Sequence, residues 1–579
     1  MLAIVAPPLL ARLAGLRLRA AAHARHLRVH WSALDVAWPA SLDVRDLVLV
    51  RGDGDTLLVA HALTARARLL SLLMLHPAVG EARLDDVRVR LHAGSATEDS
   101  IALETEDDSP QAGPPVAPSV QRAAQQLARA LLAPARGLPT LHVAHARIER
   151  GDSTTLRLDA LALEHARGGV HLAASGVLSR DRDMPFEADL RWAHDDSLAG
   201  RARFDVPEPD GASTPLVMTM RGRVTQDRHA GRLVVHPGTR VTVGRLALAL
   251  EAVVDTHGPR ITTRLALDSL SDERLRASLP RAVLGPLGDL DVRGSFDWRL
   301  AADLDLAHPD RVDFEADVIP HGLVLDETRS HLAIAALAQP FDAHIHLPHD
   351  RIVTRRLGPE NPHFHTLDRI SPFLRDALVT NEDGAFFLHR GFNTEAIKLA
   401  IAEDLRTGRF KRGAGTITMQ LVRNLYLGHR RTLARKAQEV TLAWTLEHLS
   451  GLPKERLLEL YLNIIEWGPD VHGADEAAHW YFDRDASELT LPEALFLTVV
   501  VPSPSKWRWR VTPDGRLRPW AQEQMHFIAT KMAAKGWLDA DAVPAAESLQ
   551  VELRGPARLL LAGATATRDT THAGDAATR

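Results

Sequence analysis

The chain has 579 residues, more than one hydrophobic core usually supports, so we expect several domains. Its 45% hydrophobic and 25% charged residues are typical of a globular protein and exclude a disordered one. A net charge of −5 argues against nucleic acid as a partner, and the lack of cysteine excludes disulfides, zinc-thiolate sites and thiol catalysis.

The N-terminus is apolar over residues 1–11 and then becomes basic at Arg12, Arg17 and Arg19. This apolar stretch is too short for a helix that crosses a bilayer, which needs about 20 residues. We expect residues 1–26 to form a membrane-proximal segment, the outer end of an anchor. A short interfacial helix and an ordinary core segment are the alternatives.

Residues 27–350 alternate apolar and polar side chains with a period of two, as half-buried strands do. Clear runs lie at 42–49, 84–91, 141–148, 156–163, 241–248 and 292–306. We expect a disordered loop at about 96–118, which is acidic and Pro-rich, and an amphipathic helix at 121–132.

This ladder of strands resembles the AsmA-like proteins of Gram-negative envelopes, and the resemblance covers about 300 residues of texture rather than a strict motif. It implies an elongated antiparallel β-region that is tethered to a membrane at one end, in a group of which some members move lipids. An unrelated long β-domain is the alternative.

Past residue 350 the hydrophobic period changes to 3.6, which predicts helices. Helix starts are indicated by Ser371 before a proline, by Thr432, and by the Thr490–Glu493 capping box. We expect a mainly α domain over 351–540 and a largely disordered tail over 541–579. The predicted fold class is therefore multidomain α+β.

Residues 382–391 read EDGAFFLHRG and fit the signature E-D-x-x-F-x-x-H-x-G at every defined position. A carboxylate at a helix end can act as a general base if its pKa suits the operating pH, although most such acids are structural. The signature resembles the first motif of the peptidoglycan glycosyltransferases, glycosyltransferase family 51, which form the transglycosylase domain of penicillin-binding proteins.

Residues 412–424, RGAGTITMQLVRN, are similar to the second family motif, G-x-S-T-I-T-x-Q-L-x-K-N. Small residues let backbone N–H groups approach an anion, to which Thr416, Gln420 and Arg423 can also donate. Gly415 stands where the family usually has serine, so a hydroxyl that helps to hold the donor phosphate is missing. The loss weakens donor binding unless backbone contacts and a water replace the hydroxyl.

Residues 435–439, RKAQE, match the third motif, R-K-x-x-E. Arg435 and Glu439 are four residues apart on a helix, so a surface salt bridge is the alternative interpretation. The resemblance implies that Arg435 and Lys436 hold a pyrophosphate leaving group and that Glu439 is a second catalytic carboxylate. Nine Lys or Arg against three acids between residues 401 and 440 favour an anion site over a solvated face.

Residues 454–463, KERLLELYLN, match the fourth motif, K-x-x-I-L-E-x-Y-L-N. Glu459 and Asn463 lie four residues apart, and we expect them to brace the cleft from within. Residues 473–482, GADEAAHWYF, match the fifth motif and form a face of small residues that we interpret as structural.

The resemblance implies a lysozyme-like α-fold and the polymerisation of lipid II. Glu382 would deprotonate the acceptor 4-hydroxyl, and undecaprenyl pyrophosphate would leave the donor with inversion. The predicted catalytic residues are Glu382 and Glu439, and the predicted substrate-binding residues are Asp383, Phe386, His389, Thr416, Gln420, Arg423, Arg435, Lys436, Glu459 and Asn463. No cofactor is required, and Mg²⁺ or another divalent cation could assist.

The implied partners are lipid II, the nascent glycan strand, the inner-membrane surface at its periplasmic face, and other cell-wall synthesis proteins. Residues 503–506 fit S-x-x-K, but no S-x-N or K-T-G follows, so we expect no transpeptidase activity. Two alternatives are an envelope scaffold or lipid-handling protein with an inactive transglycosylase domain, and a lytic glycan-cleaving enzyme. The cationic set disfavours cleavage, since a hydrolase meets no pyrophosphate.

Overall fold

The computed structural model describes residues 2–24, 26–37, 41–51, 55–67, 79–91, 139–150, 154–166, 169–179, 182–227, 229–407, 414–429 and 432–561. The predicted loop at 96–118, the predicted helix at 121–132 and tail residues 562–579 lie outside these ranges. The chain opens with helix α1 (Leu2–His23). Among the described residues, no helix combines the length and the apolar character that crossing a bilayer requires.

A 17-stranded sheet follows α1. Its strands are β1 (Leu27–His30), β2 (Ala33–Ala37), β3 (Ser41–Arg51), β4 (Thr56–Ala67), β5 (Val79–Leu91), β6 (Thr140–Arg150), β7 (Thr154–Ala166), β8 (Gly169–Ser179), β9 (Asp183–Ala193), β10 (Ser197–Pro207), β11 (Ser213–Asp227), β12 (Arg232–Val235), β13 (Arg240–Val243), β14 (Leu246–Asp255), β15 (Arg260–Leu270), β16 (Val292–Asp305) and β17 (Asp313–Leu325). Short helices α2 (Asp272–Arg276) and α3 (Arg281–Leu284) interrupt the last turns of the ladder.

From β3 onward the strands pair with their neighbours in an antiparallel ladder, apart from the parallel pair β5–β6. Both β1 and β2 pair with β3, while β12 and β13 together bridge β11 and β14. The predicted run at 241–248 is two strands rather than one. Gly244, with a φ of 55°, makes the turn between them, and the apolar positions change from odd to even numbers across it.

One face of the sheet carries an unbroken row of mainly apolar residues in direct cross-strand register. The row runs through Leu42, Ala65, Ala82, Leu141, Leu163, Leu172, Leu190, Gly200, Met220, Val241, Leu248, Leu267, Trp298 and Val318. Every member of the row is half-buried. The period-two pattern in the sequence therefore marks one continuous apolar face.

The C-terminal part is mainly helical. A hairpin of β18 (Phe341–His346) and β19 (Ile352–Leu357) precedes helices α4 (Pro372–Glu382), α5 (Thr394–Thr407), α6 (Ile417–Val422), α7 (Leu433–Leu449), α8 (Lys454–Ile464), α9 (Ala474–Phe482), α10 (Leu491–Val500) and α11 (Pro519–Ala534), with the short pair β20 (Glu466–Gly468) and β21 (Val471–His472) before α9. One-turn 3₁₀ segments and a π-turn at Arg423–Leu427 connect these elements. The Thr432 cap and the Thr490–Glu493 capping box form as predicted.

A single hydrophobic core fills the helical part and reaches into the end of the sheet. Leu290, Leu325 and Ile345 are buried in the same cluster as the helices. Residue 350, the predicted domain boundary, lies between β18 and β19, which pair with each other. An ion pair also joins the helical part to the sheet, since Nζ of Lys398 in α5 lies 3.1 Å from Oδ1 of Asp313 in β17.

The C-terminal segment differs from the prediction of a disordered tail from residue 541. Leu549, Leu553 and Ala557 are at most 2% exposed and belong to the helical core, which therefore extends to Leu561. Their short apolar spacing carries no long periodic pattern, which is why the sequence does not reveal their burial. At the level of class, a large mixed β-sheet followed by a helical domain agrees with the predicted α+β architecture.

Candidate active site

Glu382 is the last residue of α4, where a half-buried carboxylate meets two amide donors. Its Oε1 accepts a hydrogen bond from Asn381 Nδ2 at 2.9 Å, and its Oε2 accepts one from Gln420 Nε2 at 3.0 Å. Burial raises the pKa of Glu382, although these two donors and the charge of Arg423 act in the opposite direction. The site therefore holds a carboxylate that accepts a proton more readily than an exposed glutamate.

Gln420 is itself oriented by Tyr461 of α8, whose hydroxyl donates to Gln420 Oε1 at 2.9 Å. Tyr461 is fully buried. Because the amide oxygen is occupied by this donor, the amide nitrogen points to Glu382. Tyr461 is not among the residues predicted from the sequence, although its defined place in the fourth motif is a signal for it.

Asp383 joins the first motif to the second. Its carboxylate accepts hydrogen bonds from the backbone N–H of Ile417 at 3.1 Å and from His389 Nε2 at 2.9 Å. Thr416 caps α6 and donates its hydroxyl to the carbonyl of Gly391 at 2.7 Å. Asp383, His389 and Thr416, all predicted to bind substrate, are therefore brought together, and their polar groups mainly fix the loop beside Glu382.

A cationic edge lies next to this cluster. Arg423 is half-buried, and its Nε has no hydrogen-bond partner among the residues that the structure describes. Arg435 and Lys436 begin α7, and both contact Glu439, Lys436 through Nζ at 3.1 Å. Glu439 is only 3% exposed, so the predicted second catalytic carboxylate lies under the two cations and positions them.

Gly415 lies between the two groups. Among the residues that the structure describes, a Cβ at this position would find only Lys436 Nζ within 4 Å, at 3.9 Å, and the backbone is not in the left-handed region. The glycine is therefore not required by sterics or by backbone conformation. The basic residues Arg409, Lys411, Arg412, Arg430 and Arg431 lie outside the described residues.

Three predicted substrate contacts need correction. Phe386 is fully buried, with Lys454 Nζ 4.1 Å from its ring centroid, so it belongs to the core. Glu459 Oε2 accepts from the backbone N–H of Leu367 at 2.9 Å, and its Oε1 accepts from Arg456. Asn463 is saturated by its own helix and by the backbone of His365. Glu459 and Asn463 therefore tie α8 to the segment before α4, which is a bracing role.

Two supporting features were not predicted from the sequence, although Lys454 and Thr418 hold defined motif positions. Lys454 Nζ lies 2.6 Å from Glu447, which also accepts from Thr418, and this buried group ties α7 and α8 to the second motif. Lys535, beyond the last motif, donates to the carbonyl of Gly384. Only the folded chain brings Lys535 to the first motif, because 151 residues separate the two.

Comparison with known proteins agrees with this geometry. Residues 350–533 match the family model described as Transglycosylase. The biosynthetic peptidoglycan transglycosylase of Paraburkholderia xenovorans is 39% identical over 29% of this chain and 67% of its own length. The proteins of the same name from Alcanivorax borkumensis and Paraburkholderia phytofirmans are 38% and 41% identical, each over 31% of this chain and over 69% and 75% of their own lengths.

Among solved structures, penicillin-binding protein 1A from Haemophilus influenzae is 16% identical and aligns over 38% of this chain and 21% of its own, with a TM-score of 0.18. That score carries no argument about the fold. The family model covers residues 350–533, the segment that contains all five motifs and the Glu382 cluster. The chain therefore belongs to the biosynthetic peptidoglycan transglycosylases, glycosyltransferases of the cell envelope.

Proposed function

We propose that this chain polymerises lipid II and that Glu382 is its general base. The setting of Glu382 carries the proposal, since it is a half-buried carboxylate with a raised pKa and two fixed amide donors. General bases are most effective when their pKa lies near the operating pH. The raised pKa of this carboxylate lies closer to neutral pH than the pKa of a glutamate in water.

In the proposed reaction, Glu382 takes the proton from the 4-hydroxyl of the N-acetylglucosamine of the acceptor. That oxygen attacks the anomeric carbon of the N-acetylmuramic acid of the donor, and the bond to undecaprenyl pyrophosphate breaks with inversion. Negative charge develops on the leaving pyrophosphate, and fixed cations that meet it lower the barrier. Arg423, Arg435 and Lys436 are the cations that we assign to this role.

The state of these cations supports the assignment. The buried Nε of Arg423 has no hydrogen-bond partner in the described part of the chain, and a phosphate oxygen would satisfy it. Lys436 is half-exposed beside Gly415, at the point where the family usually has a serine hydroxyl. Glu439 holds Arg435 and Lys436 in place before any substrate binds, which reduces the cost of organising the site.

We further propose that the helical domain has a lysozyme-like fold and acts at the periplasmic face of the inner membrane on lipid II and the nascent glycan strand. The reaction needs no cofactor, and a divalent cation such as Mg²⁺ is an optional aid to pyrophosphate departure. Other cell-wall synthesis proteins are the remaining proposed partners. The support is the match of the motifs, the family model over residues 350–533 and the similarity to biosynthetic peptidoglycan transglycosylases.

Replacement of Glu382 by glutamine tests the proposal. The change keeps the size of the side chain but removes the proton acceptor, so glycan formation from labelled lipid II should fall by roughly 10²–10⁴-fold. Glu488→Gln, on an exposed glutamate of the same domain, is the matched control and should keep the wild-type rate. Polymerisation at the wild-type rate by Glu382→Gln would exclude the assignment, and release of glycan fragments would favour a lytic enzyme.

The continuous apolar face of the sheet favours a second function, the handling of lipid by the β-region. Its half-buried row from Leu42 to Val318 offers a hydrocarbon chain a surface that spans the whole ladder. Native mass spectrometry of the membrane-extracted chain should then detect bound lipid. Substitution of Leu172 and Leu190 by glutamate should abolish the lipid adduct without changing polymerisation, and a bare wild-type protein would remove this candidate.

A further inference from the structure

Three side chains lie close together next to the segment between β19 and α4. They are His363, from that segment, and Asp475 and His479, from α9. One nitrogen of each ring and one carboxylate oxygen lie within 4.8 Å of one another. Asp475 and His479 occupy undefined positions of the fifth motif, and His363 precedes the first, so family membership does not account for this cluster.

We propose that His363, Asp475 and His479 form a binding site for a divalent transition-metal ion of the zinc type. Two imidazoles and one carboxylate, with water completing a tetrahedron, are a ligand set that zinc accepts. The two rings stand edge to face with centroids 5.9 Å apart, which leaves their nitrogens near a common point.

The hydrogen bonding of His479 favours a ligand over an idle surface histidine. Its Nδ1 is bonded to the carbonyl oxygen of Arg484, which can only accept, so Nδ1 carries the proton. In the neutral ring, Nε2 then has the lone pair that a metal needs. Metal-binding histidines commonly fix their tautomer through such a carbonyl.

Asp475 supplies the negative charge. It is 3% exposed, its Oδ1 accepts from the backbone N–H of Ala486 at 3.1 Å, and its Oδ2 lies 2.8 Å from His363 Nδ1. A divalent ion bound here would compensate the charge of this buried carboxylate. His363 and His479 lie on the solvent side, so an ion can enter without unfolding the domain.

A neighbouring group, His365 with Asp475 and Asp485, shares the same aspartate. His365 is 4% exposed, and its Nε2 lies 3.2 Å from Asp485 and 3.6 Å from Asp475. We assign the ion to the solvent-facing set because His365 is already paired on this side and buried. An ion held by His363 and α9 would fix the segment before α4, and thus the helix that ends at Glu382.

Zinc titration of the full chain, tag-free and stripped with EDTA, tests the site by calorimetry and by thermal unfolding. The wild type should bind one Zn²⁺ and melt at a higher temperature with it. His363→Gln and His479→Gln should each weaken binding at least tenfold and lose the zinc-dependent shift. His344→Gln, an exposed histidine on β18 that bonds Thr354, is the control and should behave as the wild type.

Two results would overturn the proposal. One is a wild-type chain that takes up no zinc, or no more than denatured protein does. The other is stoichiometric binding that survives in both His363→Gln and His479→Gln while their melting curves match the wild type. Both replaced side chains are on the solvent side, so loss of folding is not expected to confuse the outcome.

Discussion

The hydroxyl of Tyr461 is linked to Glu382 through Gln420, so Tyr461→Phe tests whether this relay sets the pKa of the proposed base. The change removes one oxygen from a fully buried ring and leaves its volume otherwise intact. Gln420 Oε1 then loses its donor at 2.9 Å, and the amide becomes free to rotate away from Glu382. The ionised form of Glu382 is therefore less well stabilised, and its pKa rises further.

The size of the effect follows from the bond that is weakened. A net hydrogen bond contributes about 0.5–1.5 kcal/mol, and one pKa unit corresponds to about 1.4 kcal/mol. If the whole loss is transmitted to the Glu382–Gln420 bond, the pKa rises by up to about 1 unit. Since the base must be ionised to work, the acidic limb of the activity profile should move to higher pH by that amount.

The assay is the initial rate of lipid II polymerisation between roughly pH 4.5 and 8, together with thermal unfolding at each pH. Tyr481→Phe is the matched control, because its buried hydroxyl donates to the carbonyl of Trp467 at 2.9 Å, in the core and not to Gln420. Both variants should melt earlier, but only Tyr461→Phe should shift the acidic limb. Equal profiles in the two variants would refute the relay.

Three further outcomes are expected. Burial raises the pKa of Glu382, so above the ordinary carboxyl pKa the ionised side chain destabilises the folded state. Glu382→Gln should therefore melt at a higher temperature than the wild type at pH 7. This difference in melting temperature should vanish below about pH 4, where the carboxyl group is protonated in both the folded and the unfolded state. Gly415→Ser has room beside Lys436 and should improve donor use about 2- to 12-fold, the equivalent of ~0.5–1.5 kcal/mol; unchanged or lower steady-state activity would mean that the site has adapted to glycine. A chain starting at residue 351 lacks core residues of β18, so its free energy of unfolding in urea should be lower than that of a chain starting at 326 by more than ~3 kcal/mol. Unfolding transitions that match would support a domain boundary at 350.

Much of the site could be predicted because its chemistry is local in sequence. The offsets between Glu382, Asp383 and His389 and the Thr-x-x-x-Gln spacing of the second motif are set by one helix end and one helix turn. The structure places these residues together. The strands could also be predicted from the sequence, because the strands of a sheet with one apolar face show a period of two.

The features that could not be predicted depend on packing between residues far apart in the sequence, which a local pattern does not show. Phe386 holds a defined motif position that serves the core, and its burial follows from α8 bringing Lys454 over the ring. The buried segment near Leu549 is too short to show a period. The contact between Lys535 and Gly384 joins residues that only the complete fold makes neighbours.

The hydrogen-bonded ladder from β3 to β17 also fixes a distance. Adjacent strands in a sheet lie about 4.8 Å apart, so the 13 steps of register from Leu42 to Val318 span about 60 Å along the sheet. Since β17 shares a core with the helices and α1 contacts the first strands, this spacing separates the N-terminal helix from Glu382. If a surface binds α1, the length of the ladder determines how far the catalytic domain lies from that surface along the sheet. Removal of one hairpin would shorten this distance by about 10 Å.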